Sequence, residues 1–453
     1  VAAIGYNAPY DIGAPKDLDE GYRWNIPVIT YGFDASFINY FGERGMAEVE
    51  KAVKMFQDLP PFSDIKDDGS QLLINGNPVP TDTKMKNYEA GALGLLDLKS
   101  YAMSLMIEEL GLAQPERWVW AIRNAHTDSV DGQPYTNYTI IRYNYSPVKN
   151  PGGIHEATPY INNVYYTFRI RSYDQPRVYE DAVESAGSGL FPYSTVAGFD
   201  MSEFNEGEFF TALTQDDVGG LKFLYSRDRL CVENLLTNAS FGKPLGGGSP
   251  WQTFFASTNY ITLGTNAAIQ TNILVQAALR PGINKLQFQR VNYDSLLGNL
   301  FQPFTNYWTD TYVSNGVLRI QPVQREITRP DFLFVVDDLG IYADSGWPVI
   351  AWRTDTSNWQ NNDPINGSDL QADGGPGVIQ PPVTISFSKR LPYFMTYTGY
   401  YLGTGSGRHM NDEAGSSSSL IWGSFDASTN APIVYPAYRN ITVEDLRGYA
   451  VGG

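Results

Sequence analysis

The sequence predicts an α+β fold: a mixed α/β region over residues 1–226, then all-β, sandwich-like structure through residues 227–453. Two observations carry this expectation. Helical periodicity is confined to the part before residue 227, whereas the part after it alternates at period two between clusters of turn residues. The composition agrees: 43 Gly, 28 Pro, 30 Tyr and 23 Phe, with charged residues at only 18%, describe many strands joined by turns. With 453 residues the chain is long enough for two or three cores. The expected division is 1–226, with a strand-rich insertion at about 113–200, then 227–340 and 341–453. The last part is either a second β-rich module or a continuation of the same sandwich.

In chain order, IPVITYGF (26–33) reads as a strand rich in branched and aromatic residues. A helix is expected after Gly42 and Gly45, with Met46, Val49, Val53 and Phe56 on one face and Pro60-Pro61 as its stop. A second helix is expected from about Asp97 to Leu110. There Asp97 caps the first turn, Leu98, Tyr101, Ala102, Leu105 and Met106 form an apolar stripe, and Gly111 ends it. A third, short helix follows Thr214, with Asp216 and Asp217 in its first turn and Val218, Leu221 and Leu224 facing inward. Between the last two lie strand-like runs at 135–145 and 164–173. Beyond residue 227, strands are read at 259–265, 271–279, 284–293, 316–324, 331–339, 348–354, 383–391 and 393–402. No repeat of 20 to 50 residues is present, which argues against a solenoid or a propeller.

Charge and composition exclude several functions. Thirty-two basic against 49 acidic residues give a net charge of −17, the wrong sign for a phosphate backbone, so no nucleic-acid partner is expected. No run of 18 apolar residues occurs, so no membrane-spanning helix is expected. The single cysteine, Cys231, cannot form an intramolecular disulfide and reads as a small buried apolar residue. The start at Val1 fits a secreted, bacterial chain whose signal peptide has been removed. Five N-x-S/T sequons, at Asn137, Asn144, Asn238, Asn366 and Asn440, would permit glycosylation.

The chemistry-bearing residues are scattered. His126, His155 and His409 lie in no metal-binding spacing. The stretch Asp64-Ile-Lys-Asp-Asp-Gly69 has too few carboxylates at the right intervals for a calcium loop and reads as a solvated turn, so no cofactor is expected beyond a weak case for structural calcium. Gly-Ser-Gly at 187–189 and at 405–407 is not a nucleophile elbow, and no phosphate-binding glycine loop is present. A glycosidase carboxylate pair cannot be nominated from spacing alone.

Two segments are more specific together. Leu213-Thr-Gln-Asp-Asp-Val-Gly-Gly-Leu-Lys-Phe-Leu-Tyr225 resembles the closing helix of matrixin-type metzincins, and Glu109-Leu-Gly-Leu112 resembles the segment following the first part of their zinc motif. The resemblance implies a metzincin-like scaffold over roughly residues 20–230. Aligned on Gly111, the zinc motif H-E-x-x-H-x-x-G-x-x-H puts its first His on Ser104, its general base on Leu105, its second His on Glu108 and its third on Gln114. A leucine cannot take a proton from zinc-bound water, and Ser, Glu and Gln make a poor zinc set. Met201, near where a Met-turn would be sought, reads as an ordinary core or loop methionine.

The resemblance therefore implies an inactive metallopeptidase-like scaffold, with no catalytic residues. The expected role is that of a secreted, non-catalytic structural or adhesive protein, a subunit of an extracellular filament or surface layer. Its expected partners are other copies of itself, or a cell surface or extracellular matrix. Two alternatives remain open at this level: a secreted zinc peptidase with displaced ligands, and a glycan-binding surface protein.

Overall fold

The computed structural model describes residues 23–68, 71–112, 195–196, 206–242, 274–337, 377–388 and 421–436, with the backbone of strands lying in 121–186, 341–361 and 394–395. The chain runs β1 (Val28–Phe33), α1 (Ala35–Gln57), β2 (Leu95–Asp97), α2 (Leu98–Glu109) and α3 (Gln215–Tyr225). It continues through β3 (Leu230–Asn234), β4 (Ala239–Phe241), β5 (Ala277–Pro281), β6 (Gln287–Arg290), β7 (Phe304–Ser314) and β8 (Val317–Ile327). Then follow β9 (Phe332–Asp337), β10 (Val383–Ser388), β11 (Phe394–Met395), β12 (Ile421–Ser424) and β13 (Ile433–Val434), with shorter elements between.

Helices and mixed sheets together make the fold α+β. Its central sheet has the order β6-β1-β9-β10-β11. The first four strands are parallel, with Val28 opposite Gln287, Tyr31 opposite Phe332, and Phe332 opposite Val383; only β11 runs antiparallel. The sequences explain the arrangement. VITYGF and FLFVVD are largely apolar without alternation, as strands of a parallel sheet buried on both faces are, whereas VTISFS alternates and buries Val383, Ile385 and Phe387. Ile29, Phe332, Phe334, Val336, Val383, Ile385 and Phe387 are all buried. The sheet draws β1 from the N-terminal region and its other strands from beyond residue 227. The split placed at 227 thus does not separate two cores, because the strands at 287–290, 332–337 and 383–388 complete a sheet that β1 begins.

Antiparallel sheets are present as well. Five strands in the order β3-β5-β7-β8-β4 form an antiparallel sheet, and β13-β12-β2 form a small mixed one. Within the strand-rich insertion, Ala121–Val130, Gln133–Tyr143, Val164–Ser172 and Glu180–Ala186 pair antiparallel. Buried charges tie the sheets together. Arg23 donates to Glu233 Oε1 at 2.5 Å and to the carbonyls of Leu224 and Arg280. Arg280 in turn donates to both oxygens of Asp310 and to the Glu233 carbonyl. Asp331 accepts from Arg325 and from the Thr30 backbone and hydroxyl, linking β8 to β1.

The three helices sit close to where periodicity and caps put them. Helix α1 starts at Ala35, before the two glycines rather than after them. Asp34 caps it by accepting from Ser36 N, and Gly42 (φ 64°, ψ −167°) is a kink inside it. That conformation is open essentially to glycine alone, so Gly42 bends a helix that has already begun. Helix α2 is capped by Asp97, whose Oδ2 accepts from Ser100 N and Oγ at 2.9 and 2.6 Å; Gly111 (φ 103°) follows its end. In place of a single stripe, Met103, Ser104 and Ile107 are buried as well, because α1, β12 and Trp24 enclose the helix. Helix α3 has a capping box between Thr214 and Asp217. Asp217 is buried; besides capping, it accepts from Thr195 Oγ1 and Val196 N.

Candidate functional site

Helix α2 carries the first positions aligned with the zinc motif, and it turns them inward. Ser104 and Leu105 are both fully buried, and the Ser104 hydroxyl has no hydrogen-bond partner among the described residues. The helix end is sealed: Trp24 Nε1 donates to the Glu109 carbonyl at 2.7 Å, and the Tyr225 hydroxyl donates to that of Leu110 at 2.7 Å. The side chain of Glu108 and all of Gln114 lie outside the described residues, as do Met201, His155, His409, Asn144, Asn366, Asn440 and both Gly-Ser-Gly segments. His126 and Asn137 face each other in backbone register on one hairpin. Asn238 is exposed, and its amide donates to the Glu326 carbonyl. Among the described residues no three His, Cys, Asp or Glu side chains converge. Of the stretch read as a solvated turn, Asp64, Lys66 and Asp68 are exposed, whereas the Asp67 side chain is almost fully buried beside Lys222 at 3.6 Å; Gly69 lies outside the described residues. Cys231 is free and buried.

A buried polar cluster lies at the other end of α2. Asp97 is fully buried beside Lys99, Glu48 and the Ser424–Tyr435 hydroxyl pair, which are 2.8 Å apart. Ser100 Oγ also accepts from Phe210 N, fixing the short strand Glu208–Phe210. Burial pushes the Asp97 carboxyl up to about 6, against the opposing pull of Lys99 and the Ser100 hydrogen bonds. A folded value above the ordinary 3.8 means that the protonated acid fits the folded protein better. Its contribution is complete below about pH 4 and is lost as pH rises through 6, by about 3 kcal/mol at most. Asp97→Asn keeps a capping side chain and removes the ionisation. Urea midpoints of the two proteins should diverge in favour of Asp97→Asn between pH 4 and pH 7; parallel profiles would refute this assignment.

A cleft of about 450 Å³ opens at the carboxyl ends of β6 and β1. Such strand ends are where open parallel sheets bind other molecules. Phe33, Ile38, Leu300, Phe301 and Phe304 supply its apolar lining, and Arg290, Asn292, Tyr293 and Gln302 its polar groups. Arg290 lies over the Phe33 ring at 5.5 Å and pairs with Glu50 at 2.5 Å. Burial, helped by Asp34, raises the Tyr293 hydroxyl above its ordinary value while Arg329 opposes. Val291 N donates to the Tyr31 carbonyl, after which the chain turns into a tight hairpin, Tyr293–Asp294 against Asn299–Leu300. Asp294 Oδ1 accepts from the amides of Leu296 and Leu297, and Gly298 takes φ 70°. This turn holds Leu296 and Leu297 out beside the cleft, 93% and 70% exposed.

Strand β7 leaves this cleft and forms a long ribbon with β8, closed by Asn315 (φ 51°) and Gly316 (φ 73°). Asn-Gly with both residues at positive φ is the tight turn whose twist matches paired strands. Near the cleft the ribbon is packed, with Trp308, Val323 and Ile327 buried. Among the described residues β5 flanks β7 as far as Leu279 opposite Val313, while β4 covers only Val323–Arg325 of β8, so the outer edge of β8 is open before Val323. There Val317, Leu318 and Ile320 are 52%, 62% and 72% exposed. Strand periodicity announces β8, and Asn315-Gly316 announces its turn, but neither shows which part of β8 lies at an open sheet edge. No known protein family, curated protein or solved structure matches the chain.

Proposed function

We propose that this protein is a non-catalytic structural or adhesive protein of the extracellular space, working as a self-associating subunit. The observation that carries the reading is the outer edge of β8, where three aliphatic side chains, Val317, Leu318 and Ile320, are exposed beyond the reach of β4. Apolar groups gathered on a strand that lacks a neighbour are a template for association. The resemblance to metzincins enters as that of a scaffold without a zinc centre, supported by the burial of Ser104 and Leu105 inside α2. No helix among the described residues is long and apolar enough to cross a membrane.

Sedimentation velocity of the full chain over a hundredfold range of concentration tests the proposal. Species heavier than one chain should grow with concentration. A single monomeric boundary throughout would overturn it.

A further inference from the structure

We propose that the cleft at the carboxyl ends of β6 and β1 binds a neutral, N-acetylated sugar of a glycan chain. This goes beyond the self-association reading and does not depend on it. At about 450 Å³ the cleft has the size of a small-molecule site, for which roughly 300–1,000 Å³ is usual. Its lining is graded. Phe33 and Leu300 are buried and give it an apolar floor, whereas Asn292, Gln302 and Phe301, the last 65% exposed, stand at the rim.

Charge narrows the occupant. The charged residue of the lining is Arg290, and Glu50 already holds its guanidinium at 2.5 Å. An anion would have to displace Glu50 and lie near Asp34 and Asp294, whose fields reach the Tyr293 hydroxyl. A chain of net charge −17 also repels it from a distance. A cation would sit against Arg290. The fitting molecule is therefore uncharged.

Hydrogen bonding narrows it further. The amides of Asn292 and Gln302 each carry donors and an acceptor, and the Tyr293 hydroxyl serves as either. None of these three side chains is engaged by another described residue, so all are open to a ligand. The backbone is not: the amides of Val291, Leu300 and Phe301 donate to the carbonyls of Tyr31, Thr328 and Asn292. An extended peptide, which binds through a row of free backbone groups, finds no ladder there. Sugar hydroxyls both donate and accept, as the two amides and the phenol require, and the C–H face of the ring suits the exposed Phe301 ring. An acetamido group completes the fit. Its methyl suits the floor at Phe33 and Leu300, where a hydroxyl in its place would be buried without a partner.

Saturation-transfer NMR on the full chain tests this with N-acetylglucosamine, N-acetylgalactosamine and N-acetylmannosamine, each beside glucose, galactose or mannose as its hydroxylated parent. At least one acetylated sugar should bind, its acetyl methyl receiving the strongest transfer, and its parent should bind about tenfold more weakly. Phe301→Ala should weaken binding about tenfold and Gln302→Ala about threefold, whereas Phe301→Trp keeps a ring and should retain it. All three changes are at exposed positions, where folding is tolerant, and near-ultraviolet circular dichroism confirms the fold. Leu318→Asp, on the open edge of β8, should bind the sugar as the unaltered chain does, so sugar binding and self-association fail independently. The proposal is overturned if no acetylated sugar binds, if the parents bind equally well, or if Phe301→Ala and Gln302→Ala leave binding intact. N-acetyl-leucinamide binding more tightly than every sugar would overturn it in favour of a peptide.

Discussion

Replacing Arg23 by methionine should lower stability by about 3–5 kcal/mol, the range for breaking a buried ion pair from one side. Both partners are about 1% exposed, so water cannot replace the lost guanidinium. Glu233 is left as a buried carboxylate that burial already pushes toward its protonated form and that Arg23 and Arg280 hold charged. The carbonyls of Leu224 and Arg280 lose a donor in the same step. The double variant Arg23→Met, Glu233→Leu should recover most of the loss, because apolar side chains of similar volume replace a buried pair at little net cost. Guanidinium midpoints of the two singles and the double give the coupling directly. A single variant as mild as the double would mean that the pair is not where the stability resides.

Phe41→Ala should cost about 3–5 kcal/mol through the cavity it leaves. Phe41 is fully buried, and its ring meets Phe37, Tyr40 and Tyr435 at 4.7, 4.9 and 5.0 Å between centroids. It also touches Phe387 of β10 and Trp422 of β12. Neither the helix beneath it nor the central sheet can close around the gap without disturbing the other. Gly45 leaves little slack, since a Cβ there would overlap the Cβ of Phe41. Phe41→Leu fills most of the space and should cost less than half as much. Equal losses for the two substitutions, measured by thermal or urea unfolding, would show that the site collapses and that the ring contacts contribute little.

Local signals in the sequence served the helices well and the sheets poorly, for a physical reason. Asp97, Gly111 and the Thr214–Asp217 box act within one turn of the chain, and all three are found where their chemistry puts them. The kink at Gly42 was hidden because a glycine beside a helical pattern looks the same whether it precedes the helix or bends it. Strand partners are chosen over long distances. Residues 331–337 are visibly a strand, but their unbroken apolar run, the mark of a strand buried on both faces, is easily taken for one side of a sandwich. Arg23 and Glu233 are 210 residues apart, and no spacing rule joins them. The cleft is assembled from the ends of two strands and a hairpin, so Phe33 and Phe301 become neighbours only once β6 lies beside β1. At the zinc-motif positions, residue type alone spoke against imidazole chemistry; the structure adds that Ser104 and Leu105 face a closed interior.

The place of β1 between β6 and β9 also sets a timetable for biosynthesis. During synthesis β1 has neither flanking strand until residues 287–337 have followed. About 250 residues separate it from its nearer partner in the chain, which at ~5–20 residues per second is a wait of roughly 15–50 s. Throughout that interval an apolar strand is unpaired on both edges. The nascent chain must be shielded from its neighbours during this time, and β1 is locked in place only after strands made long after it.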